Sequence, residues 1–332
     1  MLKTLAARWQ TFRKASHTPN TDRSPGICSK LHFSYCHPST ALLPLSMIGV
    51  FDSGFGGLTV LDSLHRALPR YDYLFLADSA RAPYGARSHD VIHGYTLEAV
   101  EWLFDQGCTL VILACNTASA RALRNIQQLH LPLHRPDRRV LGVVRPSIEA
   151  LAGLPPGALP GHTQPSLRTG KVAVLATEST VASDSYGIEL RKLAPQLQLI
   201  QQSCPLWVPL VEEGELDGPG TEWFLKRSLD PVINQNPQRI LLGCTHFPLL
   251  YPAIRRCVPP EIEILSQGEI IAERLAFWLQ KHPDQEQRLS QNGEVRFSTT
   301  DDTDWFCRRG SRLLGRPIDA TRAKLKSFTV KN

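Results

Sequence analysis

No stretch of the 332-residue chain approaches the ~18 consecutive apolar residues of a membrane-spanning helix, and no secretory h-region is visible. Membrane is therefore not an expected partner. Charge of one sign is also missing from most of the chain. The formal net charge is +6, but residues 1–46 hold Lys3, Arg8, Arg13, Lys14, Arg23 and Lys30 against Asp22 alone, leaving a single positive charge for the remainder. A near-neutral body offers no basic groove, so nucleic acid is not expected either. Common metal-module spacings are absent too. Cys28 and Cys36 with His32 and His37 fit none of them, and no metal is expected.

What is present reads as a soluble globular protein, 42% hydrophobic and 20% charged, long enough for two α/β domains. Eight cysteines would allow four disulfides. The chain is, however, far larger than the small secreted domains that depend on such bridges, so free thiols in a reducing cytoplasm are the expectation. Residues 1–46 mix Ser, Thr, Pro and basic side chains without a helical or strand period, and are expected to be disordered. Two readings account for them: translation that truly starts at Met47, which is favoured, or an acid-poor targeting extension. On the first, a chain starting at Met47 should fold and turn over like the full-length one.

From Met47 onward apolar strands alternate with helical stretches. Ile48–Phe51, Tyr73–Ala77, Leu110–Ala114, Val140–Val144, Val172–Ala176, Ile240–Leu242 and Ile262–Leu265 read as strands, near-continuous in apolar residues as parallel sheets require. Gly57–Leu68, His89–Asp105, Ala118–His130, Ser183–Leu193 and Gly268–Lys281 read as helices. The alternation predicts doubly wound parallel sheets with a site at the carboxyl ends of the strands. Leu154–Gly170 and Asp217–Gly220 read as loops, the former a surface insertion.

An internal echo sharpens this. Ile112-Leu113-Ala114-Cys115-Asn116-Thr117 parallels Leu241-Leu242-Gly243-Cys244-Thr245-His246, and the strand leading to Asp52-Ser53 parallels the one leading to Ala176-Thr177. Two similar halves facing each other would each contribute one cysteine to a site between them. A single cysteine after a strand is often only a small buried hydrophobe. Two in the same local context point to chemistry that needs a pair. Inverting a carbon centre requires a proton removed from one face and another delivered to the opposite face, and two thiols can exchange those roles. Asp52, ending the first strand, and His246, two residues after Cys244, are the natural tuners of the two thiols. The alternatives are a capping carboxylate and a core histidine.

Pyridoxal phosphate would need a Schiff-base lysine, yet no lysine occurs between Leu31 and Gly170, and Lys171 starts a strand away from the crevice. No cofactor is expected. Asp52-Ser53-Gly54-Phe55-Gly56-Gly57 lacks dinucleotide spacing, but its backbone amides and the Ser53 hydroxyl suit a substrate carboxylate.

The motifs G-V-F-D-S-G-F-G-G-L-T-V at 49–60, D-S-A-R-A-P-Y-G at 78–85, A-C-N-T-A-S-A at 114–120, C-P-L-W-V-P-L-V-E-E-G at 204–214 and L-G-C-T-H-F-P-L-L at 242–250 resemble those of glutamate racemases, within the aspartate/glutamate racemase superfamily. The resemblance runs from Ile48 to Ile318. It implies two flavodoxin-like domains related by pseudo-two-fold symmetry, one from 47–142 plus 268–320 and the other from 143–267. It also implies cofactor-independent interconversion of L- and D-glutamate in the cytoplasm, for peptidoglycan synthesis. By this resemblance Cys115 and Cys244 are the catalytic bases, assisted by Asp52, His246 and Glu212, with Glu213 as the fallback for Glu212. Substrate contacts fall on Asp52, Ser53, Tyr84, Gly85, Asn116, Thr117, Thr245 and His246. A homodimer is the expected assembly, an expectation that no sequence pattern carries. Phe247, Trp207 and Arg145 stand where relatives usually carry Tyr, Phe and Glu. The rival readings are an aspartate or hydantoin racemase of the same superfamily, or a protein whose secondary role is to bind and inhibit DNA gyrase.

Overall fold

The computed structural model describes residues 46–160 and 169–326. The expectations for residues 1–45, including the cysteine and histidine group there, lie outside the described residues, as does the middle of the 154–170 loop. The path runs β1 (Ile48–Asp52), α1 (Leu58–Ala67), β2 (Tyr73–Ala77), α2 (His89–Asp105), β3 (Leu110–Leu113), α3 (Asn116–Asn125), β4 (Arg139–Gly142) and α4 (Val144–Leu151). It continues through β5 (Gly170–Ala176), α5 (Glu178–Ala182), α6 (Ser185–Leu193), β6 (Leu197–Ser203), α7 (Trp207–Glu213), α8 (Pro219–Ile233), β7 (Arg239–Leu242), α9 (Tyr251–Cys257) and β8 (Glu263–Ser266). It closes with α10 (Gln267–Lys281), β9 (Val295–Thr299), α11 (Thr303–Leu314) and β10 (Ala320–Arg322). No helix among the described residues is long and apolar enough to cross a membrane.

The strands form two sheets, ordered β10-β9-β2-β1-β3-β4 and β6-β5-β7-β8, and every pairing is parallel. Every residue of β1, β2 and β3 is buried, because helices cover both faces of a doubly wound sheet. The second sheet repeats the central part of the first, strand for strand: β2-β1-β3-β4 corresponds to β6-β5-β7-β8. The correspondence extends to single hydrogen bonds. Phe51 pairs with Leu113 as Leu175 pairs with Leu242, and Ala114 N donates to Phe51 O at 2.8 Å as Gly243 N donates to Leu175 O at 2.8 Å. Cys115 and Cys244 each follow that shared hydrogen bond by one residue. The sequence echo is therefore a duplicated backbone, and it places both thiols at equivalent strand ends.

Several boundaries differ from the sequence reading for identifiable reasons. Val144 begins α4 rather than ending β4. The helix expected from Ala118 starts at Asn116 because Cys115 caps it, its sulfur accepting from Ala118 N at 3.5 Å. Its expected end at Ile126–His130 widens into a π-helical turn. The helix expected from Ser183 starts at Ser185, after Asp184 adopts φ 50° and breaks the run from α5. The Asp217–Gly220 loop gives way to α8 at Pro219, whose missing N–H costs nothing in a first helical turn. β6, β9, β10, α4, α5, α7, α8, α9 and α11 were not anticipated.

Ser46, grouped with the extension, belongs to the folded part. It is 3% exposed, its N donates to Arg288 O at 2.9 Å, its O accepts from Ser290 N at 3.0 Å, and its hydroxyl meets Thr109 Oγ1 at 2.6 Å. Net stabilisation of about 1 kcal/mol per hydrogen bond gives Ser46 roughly 1–3 kcal/mol. A chain trimmed to Met47 should therefore show an unfolding free energy in urea lower by that amount than one retaining Ser46, with an earlier midpoint. Identical midpoints would return Ser46 to the extension.

Candidate active site

Two loops, one from each sheet, meet at the carboxyl strand ends. On the first sheet, β1 ends in Asp52 and is followed by a turn whose small residues allow a close approach. A Cβ on Gly56 would lie 2.5 Å from His246 Nδ1, and one on Gly57 would lie 2.4 Å from Asp52 Cβ. Glycine is required at both. Asp52 is fully buried, accepts from Gly54 N at 3.1 Å, and accepts across the cleft from Thr245 Oγ1 at 3.4 Å. Thr59 Oγ1 adds a second bond across the cleft, to Thr245 O at 3.2 Å. Burial pushes the Asp52 carboxyl up to about 6, against the opposing pull of the His246 charge and its own hydrogen bonds.

Cys115 is 5% exposed and Cys244 6%. The group touching Cys115 is Ser53, with Oγ 3.3 Å from the sulfur, while Asp52 acts on it by charge alone. Burial, then the Asp52 carboxylate, pushes the Cys115 thiol up to about 12. The pairing of Asp52 with Cys115 is thus electrostatic, and the contact expected of Asp52 goes to Thr245 instead. On the opposite side, His246 Nδ1 lies 4.0 Å from Cys244 Sγ and Nε2 lies 2.8 Å from Glu212 Oε1. Burial alone would depress the imidazole, but its bonds to Cys244 and Glu212 outweigh that and raise it to about 10. A cationic ring thus stands beside the Cys244 sulfur. The two thiols consequently sit in opposite electrostatic settings: carboxylate beside Cys115, imidazolium beside Cys244. The adjacent Glu213 is exposed and has no part in this chain of contacts.

The remaining expected residues line the same region with distinct partners. Asn116 Nδ2 donates to Tyr186 OH at 2.7 Å, and its buried Oδ1 has no partner among the described residues. Thr117 Oγ1 meets Thr177 Oγ1 at 3.0 Å and Thr180 Oγ1 at 3.3 Å, so Thr177, the echo of Ser53, bonds to the opposite half. The Tyr84 hydroxyl donates to Asp78 Oδ2. Gly85 packs against Thr177, where a Cβ would come within 3.0 Å of Thr177 Cβ. Trp207 and Phe247, both departures from the resembling pattern, pack against each other at a tilt of 59° with centroids 4.8 Å apart. Arg145 pairs with Glu149 at 3.2 Å and Glu189 at 3.4 Å, away from the thiols.

The sequence reading gave no role to two further residues, one of them on an element it did not anticipate. Arg309 on α11 donates to Glu212 Oε2 at 2.6 Å, and Phe55 packs edge-on against His246 with centroids 5.2 Å apart. Arg309 is separated from Glu212 by 97 positions, and no motif announces it. A cavity of about 710 Å³ opens elsewhere, between Leu123, Arg145, Ile188, Arg274 and Trp278, and includes neither cysteine. Charged side chains line that cavity, Glu149 and Glu189 with Arg145 and Arg274, and neither thiol reaches it.

The geometry has known counterparts. The model of the Asp/Glu/hydantoin racemase family matches residues 48–275. The chain belongs to the Asp/Glu/hydantoin racemase family. It is 39% identical to the glutamate racemase of Ruegeria pomeroyi over 82% of this chain and 97% of that one. A crystal structure of a Bacillus anthracis glutamate racemase isoform superposes with a TM-score of 0.73 at 30% identity, covering 84% of this chain and 98% of the other. The glutamate racemase of Francisella tularensis, solved with D-glutamate, gives 0.73 at 28% identity over 85% and 99%. The two-sheet architecture of this family member is that of these racemases.

Proposed function

We propose that this chain interconverts L- and D-glutamate without a cofactor, with Cys115 and Cys244 as the two bases. The observation that carries this reading is the duplicated strand end: two thiols at equivalent positions of two facing sheets, one beside a carboxylate and one beside an imidazolium. In the L to D direction, the Cys244 thiolate takes the α-proton while the Cys115 thiol gives its proton to the opposite face. The site is left with a Cys244 thiol and a Cys115 thiolate, which the reverse turnover or proton exchange with water resets. The Asp52 carboxylate favours the Cys115 thiol, and the His246 imidazolium faces Cys244, an arrangement that suits proton removal from L-glutamate on the Cys244 side. The glycine-rich turn after β1 offers backbone amides to a substrate carboxylate. Ser53, Asn116, Thr117 and Thr245 surround the reacting carbon. Tyr84 and Gly85 contribute by shape, the first through its ring and the second by admitting Thr177. Lys171 lies at the amino end of β5, opposite to the crevice, which supports a mechanism without a Schiff base.

Both thiols are nearly inaccessible, so the loops of the two sheets must part for substrate to enter. Working in the cytoplasm, the enzyme would supply D-glutamate for peptidoglycan. A homodimer is the assembly to test by light scattering. The substrate assignment is tested by following loss of optical rotation with L-glutamate, L-aspartate and a 5-substituted hydantoin. Glutamate should be turned over at least ~10-fold better than either, the scale set by one methylene or one altered polar contact. A preference for aspartate or the hydantoin would transfer the chain to the rival reading.

A further inference from the structure

The Glu212 carboxylate divides its oxygens between two cations: Oε1 to His246 Nε2 at 2.8 Å and Oε2 to Arg309 Nη1 at 2.6 Å. Arg309 is itself held on both sides. Its guanidinium lies 4.4 Å from the ring centre of Trp305, one helical turn earlier on α11, and 5.6 Å from that of Phe55 in the glycine-rich turn. Phe55 contacts Trp305 with centroids 6.4 Å apart and His246 with centroids 5.2 Å apart. Trp305 is in turn tied to the start of α11, where Asp302 accepts from its N at 2.6 Å. The five side chains Phe55, Glu212, His246, Trp305 and Arg309 thus form a continuous ring of contacts ending at Cys244.

We infer that Arg309 is a positioning residue for the Cys244 half of the reaction: it pins the Glu212 carboxylate against His246, and through it aims the imidazolium at the Cys244 sulfur. Glu212 and Arg309 are each about a third exposed, with side-chain exposures of 27% and 31%. An isolated pair this exposed has little intrinsic strength. Its effect comes from geometry, because a partly exposed carboxylate with one partner samples solvent rotamers, whereas one gripped at both oxygens does not. The charged or titratable groups facing His246 are Cys244 on its own loop, Asp52 from the end of β1 and Glu212 from α7. Arg309 reaches it only through Glu212. Releasing Glu212 therefore removes one of the two supports that keep the ring protonated and leaves Cys244, with Asp52 facing it.

The inference rests on the two-thiol reading for its catalytic meaning, but not for its first test. The His246 ring is titrated by NMR in substrate-free protein, for the native chain, Arg309→Gln, Arg309→Lys and Glu212→Gln. Arg309→Gln should lower the imidazole midpoint by about one pH unit or more, as loss of an adjacent carboxylate does. Arg309→Lys, which keeps the charge, should recover most of the shift. Arg309→Gln and Glu212→Gln combined should shift it no further than Glu212→Gln alone, the signature of residues acting through one another. The basic limb of kcat/KM for glutamate should move with the NMR midpoint. An unchanged or raised midpoint in Arg309→Gln, or additive shifts in the double variant, would overturn the inference whatever happens to the rate. If Arg309→Gln fails to fold, an Arg309→Lys midpoint lowered as far as that of Glu212→Gln would overturn it equally. A shifted midpoint with no racemisation in the native chain would instead count against the proposed reaction and leave the role of Arg309 standing.

Discussion

Cys115→Ser and Cys244→Ser should each lose racemisation of glutamate by at least the ~10²–10⁴ typical of a positioned acid or base. A hydroxyl in place of either thiol cannot ionise near neutrality, so one face of the α-carbon goes unserved. The two variants should differ on a reaction that needs only one proton removed. Elimination of HX from a β-substituted glutamate should survive in each variant for one enantiomer and be lost for the other. With the imidazolium beside Cys244, the Cys115→Ser chain should process the L-isomer, and the Cys244→Ser chain the D-isomer. The measurement is the initial rate of elimination on each isomer. Loss of the same enantiomer in both variants would mean that the thiols do not flank the substrate.

Asp52→Asn should be the more stable and the less active protein at pH 8. Burial raises the folded-state carboxyl from its ordinary 3.8 to about 6, so the fold prefers the protonated form. The contribution of Asp52 to stability is therefore complete below its unfolded value and is lost as pH rises through about 6. Above that pH the buried carboxylate costs roughly 3 kcal/mol, from ~1.4 kcal/mol per pH unit, less the hydrogen bonds an amide makes poorly. Urea unfolding should show Asp52→Asn stabilised by roughly 1–3 kcal/mol at pH 8, with the advantage gone near pH 4. Activity should move the other way. In the native chain racemisation should fall as pH drops through about 6, where Asp52 is protonated, and as it rises through about 10, where His246 loses its proton. Asp52→Asn should lack the acid limb and run at least ~10² slower. A native-like acid limb in that variant would move the titration to another group.

The parts of this molecule visible in its sequence are those whose environment is uniform. β1, β2, β3 and β5 are apolar along nearly their whole length because both faces are covered, and the two cysteines stand out because the duplicated backbone repeats their context. β6, with the sequence LQLIQQS, lies at the edge of its sheet and is half polar, so it carries no continuous apolar run. β10 has three residues, too few for any period. The cap on α3 is a sulfur, which is not among the side chains that announce a helix start, and the boundary was misplaced by two residues. Asp52 and His246 were legible as residues near the thiols, but their partners were not. Thr245 for Asp52 and Arg309 for Glu212 are tertiary choices made across 193 and 97 positions that follow from how the sheets face each other, while Ser53 meets Cys115 across 62 positions because β1 pairs with β3.

The central claim is that two different groups serve the two faces of one carbon, and L-glutamate in deuterated water tests it directly. At early times the D-glutamate formed should carry deuterium at its α-carbon in every molecule, delivered by Cys115, while the recovered L-glutamate should still carry hydrogen. D-glutamate that keeps the substrate's own α-hydrogen, or deuterium entering L-glutamate before product appears, would show a single base acting on both faces and contradict the account.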